Sequence, residues 1–250
     1  MNFSISNLPF TGFKANALSK LSQKYSIEIF NEFGDDIYWE TIISNLNPNS
    51  ALSVHAPCVS INLANPDDKN CIQVYEKTIE FAAKYKAEFV VLHSNESWTG
   101  NPIEIKEIIE NRIESIVNIG NKHNIQILIE NVGLRTNNSL IYDWDEYLNL
   151  LNKFPSCKAL LDTGHAHINN WDIPELIHTL KDRIIAIHLH DNDQKSDQHL
   201  PIGMGNINWH KVFEAIKEEI PAVALVLEYS TFEISEVDAH IQSLKSKYNL

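Results

Sequence analysis

The stretch from Ile187 to Trp209 holds the densest set of chemically capable side chains in this chain of 250 residues. It reads Ile-His-Leu-His-Asp-Asn-Asp, then Asp197-Gln-His199, then Gly203-Met-Gly205-Asn-Ile-Asn-Trp209. The apolar run Ile184 to Ile187 breaks off into His188, His190 and Asp191, the pattern of a buried strand emerging at a chemically active edge. Two glycines then allow the backbone a tight turn. Imidazoles and carboxylates gathered this closely are donors for a divalent metal.

The elements that must position them are eight short apolar runs, each followed by an amphipathic or polar stretch. The runs are Phe3 to Ile5, Ile27 to Phe30, Leu52 to His55, Phe89 to His93, Ile125 to Glu130, Ala159 to Asp162, Ile184 to His188 and Val223 to Glu228. Helices are expected over Lys14 to Lys24, Asp36 to Leu46, Asp67 to Tyr85, Pro102 to His123, Trp144 to Asn152, Ile173 to Thr179, Trp209 to Glu218 and Ser235 to Lys247. The longest carries an apolar stripe of Ile103, Ile105, Ile108, Ile109, Ile113, Ile116 and Val117, with proline in its first turn. Eight β-then-α units predict an α/β fold, a single-domain (β/α)8 barrel over residues 1–250. A doubly wound open sheet is the alternative, but no glycine-rich phosphate turn follows the first strand.

In such a barrel the active site lies at the C-terminal ends of the strands. Strands three to eight end at His55, His93, Glu130, Asp162, His188 and Glu228; His165 follows Asp162 by three residues, and Asp197 with His199 lies in the loop after strand seven. A single such residue is more often a hydrogen-bonded rim group. Six consecutive strand ends are hard to produce by accident, and they predict one metal-binding cavity. Cys58 and Cys157 do not end a strand and are set aside. A donor set of carboxylates and imidazoles without thiolate suits Mn²⁺, Mg²⁺, Co²⁺, Fe²⁺ or Zn²⁺. Glu130 and Glu228, on strands well apart around a barrel, are expected to face each other across a small substrate. Proton removal and return beside a carbonyl requires such a pair, with the metal polarising the carbonyl and holding the enediolate oxygens.

Composition narrows the class. The formal net charge is −13, which disfavours nonspecific binding to nucleic acid. Three scattered cysteines without C-x-x-C spacing fit a reducing compartment. Neither a signal-like N-terminus nor an apolar run of bilayer length is present, so a cytoplasmic protein with no membrane partner is expected. The loops Asn31 to Asp36 and Ser94 to Asn101 are acidic or lack cations; Lys14, Arg135 and Lys195 are the cations expected near the mouth. Duplex binding needs more.

With these residues the chain resembles the xylose isomerase-like TIM-barrel superfamily, which joins sugar and sugar-phosphate isomerases and epimerases to apurinic endonucleases of the endonuclease-four type. The resemblance is carried by Val54-His55-Ala-Pro with Ile61-Asn-Leu, Leu92-His93, Ile129-Glu130-Asn131, Leu161-Asp162-Thr-Gly-His165-Ala, Ile187-His188-Leu-His-Asp, Asp197-Gln-His199 through Gly-Met-Gly-Asn-Ile, and Leu227-Glu228. The isomerase branch implies one metal held by Glu130, Asp162, His188 and Glu228, the glutamates doubling as catalytic acid and base. The endonuclease branch implies two or three zinc ions and adds His55, His93, His165, Asp197 and His199. The leading expectation is a divalent-metal-dependent sugar or sugar-phosphate isomerase or epimerase working through an enediolate. The alternative is a zinc-dependent phosphodiesterase acting on abasic DNA. The expected partner is a small sugar, and acidic barrels of this size commonly form homo-oligomers.

Several residues keep two readings. His165, His55, His93 and Trp98 are candidates for binding substrate, with packing or further metal ligation as the other roles. Trp209 is a sugar wall or a packing residue. His190 shares the inward face only if its strand runs that far. His123, His178 and His240 read as surface residues on helices.

Overall fold

A computed structural model of the chain describes residues 2–10 and 16–250. Among the described residues eight strands alternate with helices, and the strand order β1 to β8 closes on itself as a barrel. The strands are β1 Asn2–Ser6, β2 Ser26–Phe30, β3 Leu52–His55, β4 Phe89–Leu92, β5 Gln126–Glu130, β6 Lys158–Asp162, β7 Ile184–Leu189 and β8 Ala224–Leu227. The helices are α1 Asn16–Leu21, α2 Asp36–Ile43, α3 Cys71–Lys84, α4 Pro102–His123, α5 Trp144–Lys153, α6 Thr163–Ile168, α7 Ile173–Leu180, α8 Trp209–Glu219 and α9 Ile234–Tyr248. This is the expected (β/α)8 architecture. The expected helix over Lys14 to Lys24 begins outside the described residues, as does the cation Lys14.

The chain divides into two compact units, Met1–Glu28 with Gly34–Ala51 and Leu161–Leu250, and Ile29–Phe33 with Leu52–Leu160. In the first, β1 pairs in parallel with β2 and β8, and β7 pairs with β8 in the register His188↔Val226. In the second, β3, β4, β5 and β6 pair in parallel order, with Leu92↔Ile129 and Glu130↔Leu160 in register. Strands buried on both faces must be apolar throughout, and β4, Phe-Val-Val-Leu, is buried at every position. A carboxylate or imidazole inside such a strand needs a partner.

The helix boundaries show what the periodicity missed. The Asn101 side chain caps α4 by accepting from the Ile103 N–H at 2.9 Å, and Asn124 ends it in a left-handed conformation. Ile105, Ile109, Ile113, Ile116 and Val117 bury the expected stripe, whereas Ile103 is exposed and Ile108 half-buried. Ile103 sits in the first turn, beyond what the stripe covers. Helix α3 starts at Cys71 and not at Asp67. The preceding segment is a turn: Asp68 accepts from Asn62 and Asn70 N–H groups, and the Arg112 guanidinium donates to the carbonyls of Leu63, Asn65 and Asp68 at 2.7–2.8 Å. Short acidic and amide side chains bind the local backbone and so compete with helix. The short α6 was not expected. Asp162 nucleates it, its carboxylate accepting from the His165 N–H at 2.7 Å.

The loop from Asp191 to Asn208 is built around one buried carboxylate. Asp191 accepts from the backbone N–H of Asn192, Gly203 and Ile207 and from the Trp209 indole N–H at 2.8 Å. Its own backbone pairs with Leu200 in both directions. Gly203 turns with φ +92°, and a Cβ at Gly205 would sit 2.3 Å from the Asn192 carbonyl oxygen, so both glycines are required. Trp209 is thereby a packing residue, buried and tilted against Phe213, and the sugar-wall reading is withdrawn.

Candidate metal and proton-transfer site

The first unit places eight polar side chains in one continuous set. Glu28 lies within β2 and is fully buried. Its Oε1 accepts from His188 Nε2 at 2.9 Å. With the Nε2 hydrogen committed, Nδ1 is the ligand atom of that ring, and it points to Glu228 Oε2 at 3.2 Å and Asp162 Oδ2 at 3.8 Å. His190, one residue past β7, donates from Nε2 to both oxygens of Asp162, at 3.0 and 2.9 Å. Its ring lies directly over Gly164, where a Cβ would fall 1.9 Å from the imidazole Cε1. Only glycine permits that approach.

The folded-back loop brings in the remaining residues. Asp197 Oδ2 meets His165 Nε2 at 3.2 Å and His199 Nε2 at 3.1 Å. His199 Nδ1 donates to the Glu228 carbonyl at 2.9 Å, and its ring stacks on His190 with centroids 3.9 Å apart. Both nitrogens of His199 therefore face acceptors, the arrangement of an imidazolium. Burial opposes the charge, but the hydrogen bond to Asp197 and the nearby Glu228 carboxylate outweigh it and push the pKa up to about 9. Burial likewise opposes ionisation of Asp197, and the His165 and His199 rings overcome it and hold the carboxyl well below its usual range.

The second unit builds a separate group. His55 Nδ1 donates to the Ala56 carbonyl at 2.7 Å, and its Nε2 meets His93 Nε2 at 3.1 Å. His93 Nε2 is 3.0 Å from Glu130 Oε2 and its Nδ1 is 2.5 Å from Glu96 Oε1. Burial disfavours a charge on His93, yet the Glu130 carboxylate, with Cys58 and Glu96, raises its pKa well above the usual value. Trp98 is half-buried in the loop that follows, and its indole N–H makes no hydrogen bond among the described residues.

Within single units, ligand atoms come within 4.8 Å of one another in four groups: Glu28, His188 and Glu228; Asp162, His190 and Glu228; His165, His190, Asp197 and His199; and His55, Cys58 and His93. Mixed imidazole and carboxylate donors at these spacings, with outer nitrogens already anchored, fit a divalent metal. The expected residues Asp162, His165, His188, Asp197, His199 and Glu228 are thus brought together, as are His55, His93 and Glu130. Three participants lay outside the expected ligand set. Glu28 is inside a strand and not at its end; the signal was an acid between Ile27 and Ile29 in a run otherwise apolar. His190 required knowing where β7 stops. Cys58 was set aside for lying past its strand, yet it sits three residues after His55 and reaches the same point. His240, expected at the surface, is half-buried and bonded to the Tyr229 hydroxyl at 2.9 Å.

The sequence model of a family described as xylose isomerase-like TIM barrel matches residues 14–247. Among solved structures, the chain is similar to a D-tagatose 3-epimerase-like protein at 22% identity and a TM-score of 0.82, covering 99% of each chain. It is similar to a D-psicose 3-epimerase solved in the presence of D-fructose at 17% identity and a TM-score of 0.80, over 100% of both chains. A Thermus thermophilus protein soaked with ZnCl₂ is 18% identical with a TM-score of 0.76, over 99% of both chains. At these identities the likeness to the solved structures establishes the fold alone.

The Asp197–His199 pair predicts a pH dependence of stability. A histidine whose pKa rises on folding contributes stability that is full below its unfolded value, about 6.5, and is lost as pH climbs through about 9. In chelator-treated protein, Tm is expected to fall across that window. The fall should be smaller in His199→Asn, whose asparagine tolerates the left-handed backbone found at this position (φ 47°). Equal pH slopes for both proteins would contradict the assignment.

Proposed function

The chain belongs to the xylose isomerase-like TIM barrel family, and from that premise we propose that it is a divalent-metal-dependent sugar or sugar-phosphate isomerase or epimerase. The observation that carries this reading is the buried line from Glu28 through His188 to Glu228 and Asp162. It orients an imidazole nitrogen at two carboxylates, as a ligand set held by an outer carboxylate requires. The proposed ligands are Asp162, His188 and Glu228 in the first unit, and Glu130 as the fourth ligand of the family pattern. When bound, the ion polarises the substrate carbonyl and so acidifies the neighbouring C–H. Glu228 and Glu130 are the proposed acid–base pair: one carboxylate takes the proton and the other returns one, to the same carbon in epimerisation or to its neighbour in isomerisation. Their burial keeps competing water from the carboxylates. His165 and Trp98 are proposed to contact the sugar. A cytoplasmic location and self-association are part of the same proposal; no helix among the described residues is long and apolar enough to cross a membrane.

Two variants test the roles of Glu228 and Glu28. Glu228→Gln is expected to lower kcat for ketose epimerisation, read by solvent deuterium incorporation, by about 10² to 10⁴. Retained exchange in that variant would remove Glu228 from proton transfer. Glu28→Gln touches no substrate in this scheme. It is expected to weaken metal affinity by about 10- to 100-fold, with kcat recovering at saturating metal. An unchanged affinity measured by calorimetry would show that Glu28 does not orient a ligand.

A second reading, phosphodiester cleavage at abasic DNA, is favoured by one observation: His165, Asp197 and His199 also cluster at ligand distance, beyond what a single ion needs. It predicts strand scission of an abasic duplex by nanomolar zinc-loaded protein. Intact duplex under those conditions would eliminate it.

A further inference from the structure

The end of β8 and helix α9 carry a cluster that the proposed chemistry does not use. Three consecutive residues, Glu228, Tyr229 and Ser230, each bond the loop from Asp191 to Asn208. The Glu228 carbonyl accepts from His199 Nδ1 at 2.9 Å, the Tyr229 hydroxyl oxygen accepts from the Ile202 N–H at 3.3 Å, and the Ser230 N–H donates to the His199 carbonyl at 3.0 Å. Behind Tyr229, 2.9 Å from its hydroxyl, stands His240 Nε2 on α9. We propose that Tyr229 and His240 are a positioning pair that works as a proton-controlled latch. Neutral His240 holds the loop, and with it Asp197 and His199, onto the end of β8; protonated His240 releases it. The inference goes beyond the proposed isomerase chemistry and does not depend on it.

The placement of hydrogens carries the proposal. Tyr229 is buried, and burial pushes its phenol up, so the hydroxyl keeps its hydrogen. A backbone N–H only donates, so the Tyr229 oxygen is the acceptor toward Ile202, and its one hydrogen is left for His240 Nε2. That nitrogen then presents a lone pair, as the neutral ring allows and the imidazolium does not. An imidazolium would make Tyr229 accept twice and leave its hydroxyl hydrogen in a buried place without an acceptor. Asp191 lies close enough to act on the hydroxyl. Its two oxygens, however, already accept four N–H groups, from Asn192, Gly203, Ile207 and Trp209. A carboxylate has about four lone-pair sites, so no place is left there for a fifth hydrogen. A buried donor left unpaired costs free energy, and releasing the loop to water relieves it.

Packing fixes the His240 ring. Tyr229, Phe232 and His240 meet edge to face in all three pairs, with centroids 5.0–5.5 Å apart. Burial lowers the His240 pKa, and no carboxylate offsets it among the described residues. The titratable groups about the pair are Tyr229 itself, Asp191 on the loop and Tyr248 further along α9. On α9, Glu236 one turn before His240 is exposed, and Asp238 is bonded to Lys24 and Tyr25. A histidine whose pKa falls on closing contributes stability that is full above its ordinary value, about 6.5, and is lost as pH drops through the lowered value. His199, pushed up to about 9, keeps its charge throughout that window and cannot produce the loss. The bland alternative is an aromatic packing cluster whose hydrogen bond reverses on protonation while the loop stays in place.

Hydrogen exchange of the Ile202 amide decides between them, independently of turnover. It is read by NMR in full-length protein as purified, from about pH 7.5 down to about pH 5. The expected result is a protection factor, corrected for the intrinsic pH dependence of exchange, that falls by up to about tenfold per pH unit, the limit for one proton. His240→Gln places an amide oxygen near the position of Nε2, accepts the same hydrogen and cannot be protonated, so its protection is expected to stay level. Tyr229→Phe lacks the oxygen and is expected to show low protection at both ends of the range. A level profile in the unaltered protein overturns the proposal without reference to any variant. The same acid fall in His240→Gln, or full protection kept in Tyr229→Phe, overturns it too. Failure of the epimerase assay leaves this result untouched, and the converse also holds.

Discussion

A carboxylate fully buried inside an apolar β-strand must be paired, and most of the first unit's polar architecture follows from how Glu28 meets that demand. An isolated ionised group in such a place would cost several kcal/mol. His188 Nε2, at 2.9 Å, is the partner. Once that nitrogen is committed, the other is aimed at Glu228 and Asp162, and Asp162 in turn receives His190. Acids and imidazoles alternate along this line, so each buried group has an opposite or hydrogen-bonding neighbour. The same alternation that satisfies burial also presents several ligand atoms to one point. The arrangement that satisfies burial is also one whose spacing could hold a divalent ion.

The loop after β7 is the second device. Asp191 gathers four N–H donors and fixes the return path of a segment with little regular structure. Its effect is felt at Asp197 and His199, which the loop lays against His165, His190 and Glu228. A buried carboxylate satisfied by backbone N–H groups is rigid in a way that a surface loop is not. Trp209, which closes the segment, contributes its indole N–H to that anchor and not to a ligand wall.

The acidic residues of the second unit also have local structural partners. Glu32 and Glu96 look in the sequence like negative loop residues that would repel a polyanion. Glu32 instead turns back on three N–H groups of its neighbouring loop, and Glu96 orients His93. Burial opposes ionisation of Glu32, but hydrogen bonds from the Ser60 side chain and from those N–H groups outweigh it and hold the carboxyl below its usual range.

The sequence by itself determined the architecture and most of the donor set. Apolar runs of three to six residues alternating with amphipathic stretches admit few folds, and the ends of those runs named His55, His93, Glu130, Asp162, His188 and Glu228. The proline in the first turn of α4 was legible too, though the Asn101 cap before it was not. What only the tertiary structure decided was which atoms meet. Glu28 was invisible to a rule about strand ends because it lies within a strand, and its partner is 160 residues away. Cys58 was set aside and His190 left open because one residue of offset in a loop redirects a side chain. Gly164 looked like any glycine until His190 was found above it. Periodicity reports which face a residue occupies, an average over many neighbours. Ligation depends on single atoms placed to within a few tenths of an ångström, and that precision comes from contacts between segments distant along the chain.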